Sequence, residues 1–97
     1  MTALDDARAH LSKAREFLDA AELDLEVELY NAAASNAVTS GINAKDAICL
    51  ALTGRTTKAV DHQDAVTELR STGPSARPLA TTLARLLKLK NLSLIHI

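Results

Sequence analysis

The first quarter of the chain places apolar residues at alternating spacings of three and four. This stripe comprises Leu4, Ala7, Leu11, Ala14, Leu18, Ala21 and Leu25. Because an α-helix has 3.6 residues per turn, all seven positions share one face, while charged residues occupy the others. The pattern therefore predicts a long first helix. It breaks at about residues 25–28, since the acidic run of residues 22–28 is unfavourable near a helix C-terminus.

Turn-forming residues are scarce, with only three glycines and two prolines in 97 residues, so the elements must be few and long. A second, Ala-rich helix is expected over residues 29–52, contacted from more than one side and ended by Gly54. A short third helix follows Asp61 as its N-cap, and a fourth begins between Ser75 and Pro78. The sequence therefore predicts an all-α fold, a four-helix antiparallel bundle in which the first helix pairs with the second.

The charge is unevenly distributed along the chain. Residues 1–30 hold eight acidic and three basic side chains, a balance of −5, and the remainder balances to +4. This basic excess is far below that of a dedicated duplex-DNA binder, and two aromatic residues leave no platform on which bases could stack. A single cysteine, Cys49, and the lack of a leader or of a membrane-length apolar run predict a cytoplasmic protein with no membrane segment.

The last six residues differ from the rest of the chain. Residues 92–97 are apolar at nearly every position and contain no capping residue, and the string resembles the read-through translation of a sequencing adapter. We therefore expect a helical domain at residues 1–91, a non-native tail at residues 92–97, and a missing last native helix. An apolar patch is then expected where that helix would have packed.

Motifs of several enzyme classes are absent from the sequence. It contains no glycine-rich phosphate loop, no Cys or His pair at metal-ligand spacing, and no nucleophile-elbow serine, so no metal and no cofactor are expected. One candidate is left, Arg55, which precedes His62 with six residues between them. Spacing alone is weak evidence, since a histidine at a helix start is more often a cap or a packing residue.

Residues 30–54, followed by Asp61, His62 and Gln63, resemble the HEPN superfamily of small prokaryotic helical domains, often encoded beside a minimal nucleotidyltransferase. The resemblance covers roughly residues 8–91. Many members of that superfamily are metal-independent ribonucleases with an Arg, four to six residues, His motif, and two copies form one cleft across a homodimer. The resemblance thus implies a toxin–antitoxin or defence-type ribonuclease, RNA as substrate, and a homodimer or a nucleotidyltransferase partner. Arg55 departs from the family pattern because it lies in a predicted loop.

Within this resemblance, four residues are candidates for catalysis. His62 would take the proton from a ribose 2'-hydroxyl, and Arg55 would stabilise charge on the attacked phosphate. Asn43 and Asp46, three apart on the second helix, could reach the third helix, where Asp46 would orient His62. The alternative is that both face solvent, or that Asp46 pairs with Lys45 or Lys58 on the surface.

Two readings without catalysis also fit the sequence. One is an interaction module that binds a nucleotidyltransferase through its helices, and the other is a structural helical domain with no ligand. Another histidine, His10, lies among charged residues of the first helix and is predicted to be on the surface.

Overall fold

The computed structural model describes residues 2–56 and 62–95. They form four helices, α1 (Ala3–Glu26), α2 (Tyr30–Thr53), α3 (His62–Ser71) and α4 (Arg77–Ile95), with a 3-10 turn at Pro74–Ala76 before α4. No strand occurs in these ranges. The prediction of an all-α, four-helix fold is confirmed. The proposed N-cap, Asp61, lies outside the described residues.

Local sequence signals explain where α1 begins and where α1 and α2 end. Thr2 caps α1, because its hydroxyl accepts from the backbone N–H of Asp5 at 3.1 Å and the Asp5 carboxylate accepts from the N–H of Thr2 at 3.2 Å. The helix stops at Glu26, and Glu28 turns the chain with a positive φ of 62°. Gly54, in the left-handed conformation with φ 77°, ends α2. Both predicted ends are confirmed.

Alanines form the contact between α1 and α2. Ala7, Ala14 and Ala21 of α1 are buried at seven-residue intervals, and Ala33 and Ala47 of α2 are buried fourteen residues apart. Small side chains let the two helix backbones come close together, and the hydroxyl of Ser40 donates to the carbonyl of Ala14 at 2.7 Å. Two further hydrogen bonds fix the antiparallel register, Asn36 to Asp24 and His10 with Asn43.

The leucines of the same stripe are not in the core. Leu4, Leu11, Leu18 and Leu25 are between 45% and 55% exposed, which leaves a row of leucines along α1. The sequence predicts the common face correctly, but the close approach of the two helices buries only its alanines. We call the exposed row the leucine stripe.

A second cluster occupies the other side of α2. Its buried members are Val38, Cys49, Ala65, Val66, Leu69, Ala76, Ala80, Leu83 and Leu87, from α2, α3, the 3-10 turn and α4. The predicted central place of α2 is thereby confirmed, since α1 contacts no other helix within the described ranges. Leu79 of α4 lies outside this cluster and is 45% exposed. None of the described helices is long and apolar enough to cross a membrane.

Candidate functional site

A buried lysine joins α2, the segment after it, and α3. Lys45 of α2 is 1% exposed, and its Nζ donates to Glu68 Oε1 of α3 at 2.5 Å and to the Asp46 carboxylate. Thr56, two residues beyond the end cap of α2, donates from its hydroxyl to Asp46 Oδ1 at 2.8 Å and lies 3.2 Å from Glu68 Oε1. These four residues, the Lys45 cluster, fix the segment that carries Arg55 against α3.

Charge balance in the cluster keeps the buried ammonium ionised. Burial by itself lowers the pKa of Lys45, but hydrogen bonds to Asp46 and Glu68 outweigh it, so the pKa lies above the ordinary lysine value. The neighbouring thiol of Cys49 also has a raised pKa, but here burial is the main cause of the increase. Burial, and to a smaller extent the Glu68 charge, raises the pKa of Cys49, so the thiol is protonated at neutral pH.

His10 lies at the contact between α1 and α2. Its Nδ1 is 3.0 Å from Asn43 Oδ1 and 3.8 Å from Asp46 Oδ2, and its side chain is 29% exposed. Asn43 is itself fixed, because its Nδ2 donates to the carbonyl of Thr39 at 3.0 Å. The sequence predicts a surface histidine, whereas the structure places the ring partly buried, with a hydrogen bond to Asn43 across the helix pair.

A cleft of about 450 Å³ opens beside this histidine. It is lined by Asp6, Ala9, His10, Lys13, Leu50, Arg55 and Thr56, and we call it the α1 cleft. Arg55 is exposed and lies directly after Gly54, where the Thr53 hydroxyl donates to its carbonyl at 3.0 Å. The structure therefore brings Arg55 to the same cleft as a histidine of α1.

The structure places the four predicted catalytic residues in different surroundings. Arg55 lies in the segment between α2 and α3, as predicted, and Asn43 and Asp46 are both partly buried rather than solvent-facing. Asp46 pairs with Lys45, as the alternative interpretation had it, but in the interior and not on the surface. His62 begins α3, and its side chain lies outside the described part of the structure, as does Lys58. That Asp46 orients His62 stays a prediction.

Two residues of the site, His10 and Lys45, have roles that the sequence does not predict. One signal is available for His10, which lies three positions after Ala7 and next to Leu11, at the edge of the apolar stripe. Lys45 lies in a segment, residues 31–54, whose one other charged residue is Asp46. Within residues 2–56 and 62–95, no group of three or more His, Cys, Asp or Glu side chains could hold a metal ion.

Comparisons with known proteins place the chain in a family. No curated protein matches it, and no solved structure does. The family model described as HEPN domain matches residues 7–93, which include the alanine contact, the Lys45 cluster and most of the α1 cleft. Since this match extends over nearly the whole chain, the protein belongs to the HEPN domain family.

Proposed function

We propose that this protein is a metal-independent endoribonuclease of toxin–antitoxin or defence type, in which Arg55 and His62 act on the RNA backbone. The observation that carries the proposal is the position of Arg55, an exposed guanidinium at a cleft in a HEPN domain. A guanidinium offers a planar set of donors that matches a phosphate. Arg55 therefore has the chemistry and the access to bind a phosphodiester.

The Lys45 cluster supports joint action of Arg55 and His62. Thr56, the neighbour of Arg55, lies 3.2 Å from Glu68 of α3, and His62 precedes Glu68 by six residues on the same helix. A helix rises about 1.5 Å per residue, so the backbone of His62 is about 9 Å along the axis from that anchor. The segment carrying Arg55 is thus fixed against the same helix that begins with His62, about two turns from it.

In the proposed reaction the ribose 2'-oxygen attacks the adjacent phosphorus as His62 takes the hydroxyl proton. Arg55 stabilises the negative charge that develops on the phosphate oxygens. The bond from phosphorus to the 5'-oxygen breaks, which gives a 2',3'-cyclic phosphate on one fragment and a 5'-hydroxyl on the other. Positioning and charge stabilisation suffice for this step, so no metal ion takes part.

The test is cleavage of a fluorescent RNA in excess EDTA by the wild type, Arg55→Ala and His62→Ala. Each substitution is expected to slow cleavage by about 10²-fold or more, as for loss of a general acid–base group or of a charge-stabilising donor. Arg77→Ala is the matched control, because Arg77 is an exposed arginine at the start of α4. Equal cleavage by all four proteins would reject the proposed function.

We also propose that the leucine stripe binds a second copy of this chain. Charge favours an antiparallel pairing of two α1 helices. The half at residues 3–15 carries three bases and two acids, whereas the half at residues 16–26 carries five acids and no base. Opposite halves therefore attract, while the two rows of leucines bury one another.

Light scattering tests this dimer. Leu11→Glu should convert the dimer to a monomer, whereas Leu79→Glu on α4 should not. A wild-type monomer at micromolar concentration would contradict the dimer.

The alternative is a non-catalytic module that binds a minimal nucleotidyltransferase. An apolar groove of about 340 Å³ between α1 and α2, lined in part by Leu4, Leu11 and Ile48, favours this interpretation because it is separate from the α1 cleft that Arg55 lines. Under this alternative the chain cleaves no RNA, and Leu11→Glu abolishes binding of the nucleotidyltransferase while Arg55→Ala leaves it unchanged. RNA cleavage that depends on Arg55 would decide against it.

A further inference from the structure

We propose that the α1 cleft is where the scissile phosphodiester binds and that His10 is the general acid that protonates the leaving 5'-oxygen. This inference rests on the proposed ribonuclease function and adds a second histidine to it, supplied by α1. Three observations support it: the orientation of the imidazole, the charges around the cleft, and the need for a group that protonates the leaving 5'-oxygen, which His62 as the base does not do.

The imidazole of His10 is held by one nitrogen and leaves the other for a ligand. Asn43 Nδ2 donates to a backbone carbonyl, so its Oδ1 is the acceptor and the proton on this side belongs to His10 Nδ1. Among the described residues, Nε2 has no hydrogen-bond partner. His10 can therefore gain and lose a proton at Nε2 without changing its bond to Asn43. One nitrogen fixed and the other free is the arrangement expected of an imidazole that transfers protons while its ring keeps one orientation.

Asp46 connects this imidazole to the Lys45 cluster. One carboxylate oxygen of Asp46 is 3.8 Å from His10 Nδ1, and the other accepts from Lys45 and from Thr56. The position of Asp46 is thus fixed by the same contacts that hold the segment of Arg55. The donor of the proton and the group that binds the phosphate are positioned by one network.

The charges that line the cleft suit a phosphodiester. Lys13 of α1 and Arg55 contribute two positive charges and Asp6 one negative charge, while the carboxylate of Asp46 is paired with Lys45. These are the charged groups that face His10 from α1, from α2 and from the segment after α2. A volume of about 450 Å³ lies within the range of small-molecule sites, so the cleft accommodates a phosphate and its ribose.

The reaction requires two proton transfers, and His62 supplies one of them. His62 takes the 2'-hydroxyl proton as the 2'-oxygen bonds to phosphorus. As the bond from phosphorus to the 5'-oxygen breaks, the electron pair goes to that oxygen, which takes the proton from Nε2 of protonated His10. Exchange with water then returns a proton to His10 and removes one from His62.

The test compares ordinary RNA with RNA in which sulfur replaces the bridging 5'-oxygen at the cleavage site. A thiolate leaves without protonation, so it needs no general acid. His10→Gln should cleave ordinary RNA about 10²-fold more slowly than the wild type, and it should cleave the sulfur-substituted RNA at close to the wild-type rate. With ordinary RNA the variant should also lose the decline in rate at high pH, where the acid is deprotonated.

Two further variants guard against a merely structural effect. Asn43→Ala keeps the imidazole but removes its fixed partner, so it should show the same pattern as His10→Gln in weaker form. Lys13→Gln should raise KM for RNA several-fold at low salt, whereas Lys88→Gln, an exposed lysine of α4, should not. Circular dichroism of each variant establishes that it is folded.

Three outcomes overturn the inference. If His10→Gln cleaves ordinary RNA as fast as the wild type, His10 takes no part. If His10→Gln slows cleavage of both RNAs by the same factor relative to the wild type, the effect of the substitution does not lie in protonation of the leaving group. If the wild type cleaves neither RNA, the proposed function itself fails, and the role of His10 fails with it. A wild type that cleaves through His62 but not through His10 leaves the proposed function intact.

Discussion

Replacement of Lys45 by methionine removes one buried positive charge and leaves the two negative charges of Asp46 and Glu68 facing each other. Methionine keeps a flexible apolar stem of similar length, so the packing changes little. The carboxylate oxygens of Asp46 and Glu68 lie 2.8 and 3.2 Å from the Thr56 hydroxyl, and they are therefore at most about 6 Å apart, the sum of the two distances. The substitution thus exposes each carboxylate to repulsion by the other.

The size of this effect follows from Coulomb's law. Two like charges 6 Å apart repel by about 3 kcal/mol at an effective dielectric of 20 and by about 1 kcal/mol in water. The carboxylates are partly exposed, at 16% and 20%, so the true value lies between these limits. Loss of the Lys45 hydrogen bonds adds about 1 kcal/mol. We expect Lys45→Met to lower the free energy of unfolding by about 3 kcal/mol at pH 7.

Urea denaturation followed by circular dichroism at 222 nm measures this loss. Glu68→Gln in the Lys45→Met background removes one of the two like charges and should recover at least half of it. Lys88→Met, at an exposed position of α4, should change the stability by less than about 0.5 kcal/mol. A loss below about 1 kcal/mol for Lys45→Met, or no recovery in the double variant, would refute the arrangement of charges described above.

Three other results are expected. Because the pKa of Lys45 is raised on folding, its stabilisation is complete below the unfolded pKa of 10.5 and is lost as the pH rises through the higher folded pKa. As the pH increases beyond 10.5, the urea midpoint should therefore decrease more steeply for the wild type than for Lys45→Met. Equal slopes would contradict this. Because Cys49 is buried and burial raises its pKa, a disulfide reagent at pH 8 should label the native thiol more slowly than the unfolded one, and equal rates would show an accessible thiolate. Ala14→Leu should destabilise by about 1–3 kcal/mol through overpacking of the α1–α2 contact, whereas Leu18→Ala should change monomer stability by less than about 0.5 kcal/mol, and the reverse order would exclude the alanine contact.

The elements of the fold are predictable from the sequence because they depend on local chemistry. Periodicity gives α1, and Gly54 gives the end of α2, since each signal acts within a few residues. Which members of the α1 stripe are buried is a different matter. Periodicity fixes the angle at which Ala14 and Leu18 project, but the distance between helix axes is set by small residues of α2, and that distance decides that alanine is buried and leucine is not.

The site is less predictable because its contacts join distant parts of the chain. Arg55 is a candidate because of its spacing to His62 and the resemblance to the HEPN superfamily, and its catalytic role stays a prediction. His10 is missed because its partner, Asn43, is 33 residues away, and nothing near His10 in the sequence indicates that bond. Lys45 is missed because lysine is rarely buried without partners, and one of its partners, Glu68, lies on another helix.

The alanine contact also determines which part of the molecule opens first. Alanine buries less apolar area than leucine, at about 25 cal/mol per Å², and among the described helices α1 contacts α2 alone, so α1 can detach by breaking one interface. Subglobal unfolding selects such segments, and amide hydrogens of α1 should exchange with solvent at a lower free energy than those of α2. His10 moves with α1 when that helix detaches. Heat or denaturant should therefore remove His10 from the α1 cleft while the rest of the chain is still folded.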